Sequence, residues 1–128
     1  MIKGFDKETA PLCEYETGVL LPIMIKGLQT KIGKRSAIKN GQIVQTLKSS
    51  YKITEARVRK LINHIRTNDI IPGLIATSDG YYIAQTENEL IEYEESLKGR
   101  ENAIREVRVS IERQRKKLYS AEKQTELF

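Results

Sequence analysis

The stretch from Ile53 to Ala84 constrains this fold most, because its hydrophobic period changes abruptly from helical to alternating. Val58, Leu61, Ile62 and Ile65 recur at i, i+3, i+4 and i+7, which places them on one face of a helix. Thr54 stands before them as an N-cap, its hydroxyl able to accept an orphan N–H of the first turn. At about 100° per residue the opposite side carries Ala56, Arg59, Lys60, Asn63 and Thr67, with Arg57 and His64 at its edges. Pro72-Gly73 closes that unit. "LIAT" and "YYIA" then flank Asp79-Gly80, a dipeptide suited to the positive φ angles of a two-residue hairpin turn. Tyr81 and Tyr82 point to opposite faces of the strand, which predicts one buried ring and one exposed ring.

Upstream, Leu21, Ile25, Leu28 and Ile32 share the face of a helix from about Glu14 to Ile32. Pro22 predicts either a kink at Leu21-Pro22 or a new helix beginning there. Ala37-Ile38 can form a short strand against the hairpin. Asn40 reads as the N-cap of a second helix, Gly41 to Lys48, that buries Ile43 and Leu47. Downstream, Thr86 and Glu89 have capping-box spacing and open a last helix from Glu87 to about Tyr119. Along it Leu90, Leu97, Ile104, Ile111 and Leu118 recur every seven residues, with Tyr93 and Val107 three residues after two of them. Arg100 and Gln114 interrupt the companion positions. A stripe of that length needs a partner, and self-association into a homodimer is the expectation, against folding back onto the first helix.

The charge is segregated. The chain of 128 residues has a formal net charge of +5. Between Lys26 and Arg66 eleven Lys and Arg face a single acid, Glu55, whereas Thr67 to Ser96 holds seven carboxylates and no base. Such a positive lobe attracts phosphates and speeds encounter with them. Within it, Arg59, Lys60 and Asn63 are residue types that read base edges or grip phosphates, while Lys52, Arg57, His64 and Arg66 suit phosphate contacts. The hairpin tip carries no Lys or Arg, so it adds little to this surface.

Other chemistry finds no support in the residues. "GLQTKIGKRS" fails as a phosphate-binding loop, because five residues separate its glycines and Arg35 follows Lys34. One His and one Cys cannot build a zinc site, and the acidic run at Glu87–Glu95 lies along a solvated helix. The expectation is a protein that is not an enzyme and uses no metal, cofactor or small-molecule substrate. Cys13 is the single cysteine, which suits a reducing, cytoplasmic setting. The apolar run from Gly18 to Ile25 is too short to cross a bilayer, so no membrane association is expected.

A short helix, a basic helix and a hairpin together outline a winged helix-turn-helix. The expected class is therefore mostly α with a small β-hairpin: a winged helix-turn-helix over 1–85, a long dimerising helix over 86–120, and a flexible tail over 121–128. At "RVRKLINHIRTNDIIPGLIATSDGYYIAQTENELIEYEESL" the chain resembles small winged-helix proteins of bacteriophages and prophages, a likeness covering roughly Tyr15 to Leu118. That resemblance implies a duplex-DNA-binding accessory of phage replication or regulation. Gln124, Leu127 and Phe128 have the spacing Q-x-x-L-F, which resembles the peptide that docks bacterial replication and repair proteins on the sliding clamp. The usual pattern has Leu second and Ser or Asp third, where this chain has Thr125 and Glu126. Alternative roles are an interaction protein that seizes a host replisome component, and a transcriptional repressor.

Overall fold

The computed structural model describes residues 10–126, with side chains through residue 120. A π-helical turn, Glu16–Leu20, runs into α1 (Leu21–Leu28), and a 3-10 turn follows at Lys34–Ser36. Then come α2 (Asn40–Leu47), α3 (Glu55–Thr67), β1 (Leu74–Thr77), β2 (Gly80–Ile83) and α4 (Glu87–Glu126). The fold is mostly helical, with one antiparallel hairpin and a long last helix. By internal contacts it divides into a unit from Met1 to Leu90 and a second from Ile91 to Phe128.

Pro22 stands in the first turn of an α-helix that begins at Leu21, the second of the two expected outcomes, with a π-helical turn running into it. Proline lacks an N–H and its ring crowds the carbonyl one turn earlier. The chain answers by widening the preceding turn: Leu21 N–H bonds to Glu16 O, an i→i−5 step, and Leu21 stays α-helical at φ −59° and ψ −50°. The helix also ends at Leu28 rather than Ile32. Residues beyond it are claimed by the hairpin, since Ile83 N–H donates to Lys31 O at 2.7 Å and Gly33 N–H donates to Ile83 O at 2.9 Å. Ile32 is consequently 54% exposed and not on the apolar face of α1.

Ile38 pairs with the hairpin as its sequence suggested, exchanging backbone hydrogen bonds with Tyr81 at 3.1 and 2.8 Å. The hairpin register joins Thr77 to Gly80, so the two turn residues are Ser78 and Asp79 rather than Asp79-Gly80. Gly80 alone takes the positive φ there, at 118°. A β-carbon at Gly80 would fall 2.5 Å from Ile38 O, so the backbone at Ile38 can approach only because this residue is glycine. Both tyrosines are buried, Tyr81 at 8% and Tyr82 at 7% exposure, which corrects the one-in, one-out expectation. The hairpin is covered on both faces: Tyr81 joins the main core, and Tyr82 stands opposite Ile75, itself buried, on the other.

The main core gathers Leu20, Met24 and Leu28 from the first helix, Ile43 from α2, the four-residue stripe of α3, and Leu74 from the hairpin. Val58, Leu61, Ile62 and Ile65 are at most 2% exposed. Burial of that order contributes roughly 1.5–3 kcal/mol per side chain, which makes α3 the central beam of the unit. Its N-terminus is capped as expected, Arg57 N–H donating to Thr54 Oγ1 at 3.3 Å. Its C-terminus closes in a Schellman turn. Asp69 takes φ 55° just past the C-cap Asn68, and Ile70 N–H donates back to Ile65 O at 3.1 Å.

The N-cap of α2 is Lys39, not Asn40: Gln42 Oε1 accepts from Lys39 N–H at 2.8 Å. Asn40 is thereby released for a longer reach, described below. In the second unit α4 is helical through Glu126, past the expected end near Tyr119, because "SAEKQTE" contains no Gly or Pro to stop it. Helix thus occupies residues expected to form a flexible tail, including Gln124, while Leu127 and Phe128 lie outside the described residues. Thr86 Oγ1 accepts Glu89 N–H at 3.2 Å, so half of the predicted capping box forms. All five heptad residues of α4 are exposed, Ile104 at 70% and Leu118 at 67%. Among the described residues no helix is long and apolar enough to cross a membrane.

Candidate nucleic-acid interface

Burial of the apolar stripe of α3 forces its opposite face outward. Arg59 and Asn63 are exposed there, Lys60 is half-buried beside them, and Thr67 is exposed one turn beyond. All four extend from one rigid helix whose other side is anchored in the core, a better platform than a loop for reading a surface. Lys52 is exposed just before the helix, and its backbone N–H donates to Tyr15 Oη at 3.0 Å, which fixes the approach of the α2–α3 connection.

Two flanks of α3 do different work. On one, Arg59 and Arg66 lie close enough to the Tyr81 hydroxyl for their charges to act on it. Burial pushes that hydroxyl above its ordinary range, and the two arginines partly oppose the shift. The Tyr81 hydroxyl donates to Asn40 Oδ1 at 2.7 Å, and Asn40 Nδ2 donates to Glu55 O at 3.0 Å. One asparagine therefore ties hairpin, α2 and the start of α3 together. Glu55 is exposed, and its Oε1 lies 3.2 Å from where a β-carbon on Gly41 would sit, which puts the single acid of the basic segment beside the N-terminus of α2. A carboxylate there suits the helix dipole.

The other flank is structural. Arg57 belongs to the expected phosphate contacts, but its guanidinium is directed inward. Nε meets Glu16 Oε2 at 2.6 Å and Nη2 meets Glu16 Oε1 at 2.7 Å, while Nη1 donates to Ala10 O and Nη2 also to Pro11 O. Both partners are largely buried, at 17% and 8% side-chain exposure. This bidentate bond, helped by the Cys13 N–H, holds the Glu16 carboxyl down at about 2 and raises Arg57 above its ordinary value. Arg57 is thus corrected from a ligand contact to a clamp that fastens the first helix to α3. His64 is half-buried, and its Nδ1 lies 3.3 Å from Asn68 Nδ2 at the helix end.

Lys34, directly after the second glycine of the rejected phosphate-loop segment, reaches Asp79 at the hairpin tip at 3.5 Å. Both groups are well exposed, so the bridge contributes little stability, but it places a cation beside a tip that has none of its own. Sequence reasoning missed Glu16, Asn40 and Tyr81, whose roles depend on partners 15 or 41 residues away. Compared with known protein families, curated proteins and solved structures, the chain matches none of them.

Proposed function

We propose that this chain is a non-enzymatic DNA-binding protein of the winged helix-turn-helix type, with α3 as the helix that enters the major groove. The carrying observation is the outward face of α3, where Arg59, Lys60 and Asn63 stand together inside a segment of eleven bases and one acid. Helix, a single β-bridge at Ile38, helix, helix and hairpin follow in the order such domains use, with the bridge made to the second hairpin strand. Arg59 and Asn63 suit guanine and adenine edges, and Lys60, Lys52 and Arg66 suit phosphates. A role as accessory of a mobile element's replication or regulation follows from the resemblance above and is part of the same proposal.

The test is a salt titration of duplex binding followed by fluorescence anisotropy. Wild-type affinity falls steeply with salt, and Lys60→Ala lowers affinity for every sequence while the log–log slope becomes shallower by about one unit. An unaltered slope removes Lys60 from the phosphate contacts.

The spacing of Gln124, Leu127 and Phe128 supports a second attachment, to a bacterial sliding clamp. An extended docking peptide would require Gln124 to Glu126 to leave the helical backbone they adopt, which reduces affinity by the cost of that unwinding. Calorimetry against the clamp tests it: equal heats from the wild type and from a variant lacking Leu127 and Phe128 reject the tail as the anchor.

A further inference from the structure

We infer that α4 pairs with a second copy of itself in antiparallel orientation. The apolar seam is exposed along its length, with Leu97 at 37%, Ile104 at 70%, Val107 at 63% and Ile111 at 56%. Two features of the same helix decide which way a second copy lies. The first is Arg100, which occupies a seam position three residues after Leu97. In a parallel pair it would meet Arg100 of the second copy across the seam, two like charges in the driest part of the contact. In an antiparallel pair the layer that joins Ile104 to Val107 of the second copy joins Arg100 to Ile111, and Leu97 to Gln114. The stem of Arg100 then covers an isoleucine while its head reaches water.

The second feature is the flank beside that seam. Its residues are Glu94, Glu101, Arg108 and Arg115, acidic in the first half and basic in the second. Antiparallel pairing in the same register sets Glu101 against Arg108 and Glu94 against Arg115, and the two-fold axis makes each contact twice. A parallel pair brings none of these together. Exposed pairs of this kind add little affinity, but they discriminate strongly between orientations. The opposite flank is small and uncharged at Ser96, Ala103 and Ser110, which lets the helices approach closely. The helix starts of the two copies then fall at opposite ends of the pair, roughly 55 Å apart at 1.5 Å per residue.

The pairing is independent of DNA binding, and its test uses no DNA. In a full-length Cys13→Ser background, Leu97→Cys and Gln114→Cys variants are oxidised separately and as a mixture. Antiparallel pairing gives a disulfide-linked dimer in the mixture and almost none in either variant alone. Efficient linkage of each variant by itself overturns the proposal in favour of a parallel pair. Light scattering on the wild type at tens of micromolar must give twice 14.7 kDa, and a monomeric mass overturns any pairing. Finally, Glu94→Arg with Glu101→Arg should weaken association at least tenfold, and adding Arg108→Glu with Arg115→Glu should restore it. Failure of the full swap to restore association rejects the antiparallel contacts.

Discussion

Arg57 holds Glu16 in a two-pronged bond, Nε to Oε2 at 2.6 Å and Nη2 to Oε1 at 2.7 Å, across 41 residues of sequence. It turns a residue from the basic face into the bolt between the first helix and α3. The carboxyl titrates at about 2 in the folded chain against an ordinary 4.5. Its stabilising effect is therefore complete above about pH 4.5 and is lost as pH falls toward 2. Glu16→Gln should cost about 2–3 kcal/mol at pH 7, because Arg57 keeps its burial and loses its counter-charge. Urea unfolding at pH 7 and pH 3 checks this: the wild type loses stability between the two, and the variant loses distinctly less.

Tyr81 and Asn40 form the second long-range tie. Tyr81→Phe removes the 2.7 Å bond to Asn40 Oδ1 and leaves that oxygen without its donor. The expected loss is about 1 kcal/mol. Gly80→Ala is more severe, since the added carbon meets Ile38 O at 2.5 Å at a φ of 118°. A loss of about 3 kcal/mol or more is expected, with the Ile38–Tyr81 amides exchanging faster in hydrogen-exchange measurements.

Asp69 ends α3 in the left-handed region at φ 55°, where an L side chain is disfavoured. Asp69→Gly should raise stability by about 1 kcal/mol, read as an increase in the urea midpoint at constant slope. A decrease would mean that the Asp69 side chain contributes more than its backbone strain costs.

Local signals were legible in the sequence where one element decides them alone. The buried stripe of α3, its Thr54 cap, the pairing of Ile38 with the hairpin and the exposed seam of α4 follow from spacing and side-chain type. The misread features are those where a distant segment competes. Hairpin hydrogen bonds to Lys31 and Gly33 take residues that periodicity assigns to the first helix. Burial on both hairpin faces defeats the alternation rule at Tyr81 and Tyr82, and Gln42 takes over the capping that composition assigns to Asn40. In the candidate interface, helical phase separates Arg59, Lys60 and Asn63 from the core, but no spacing shows that Arg57 turns back to Glu16.

The central claim is that α3 presents its outward face to duplex DNA. It is tested most directly by the anisotropy of a labelled duplex titrated with wild type and with the triple variant Arg59→Ala, Lys60→Ala, Asn63→Ala at low and moderate salt. All three side chains lie outside the core cluster, so the variant should keep its circular dichroism spectrum and urea midpoint. It should bind at least tenfold more weakly at both salts, with a shallower salt slope and no remaining sequence preference. A folded triple variant with wild-type affinity at both salts would contradict the assignment of α3 as the DNA-reading helix.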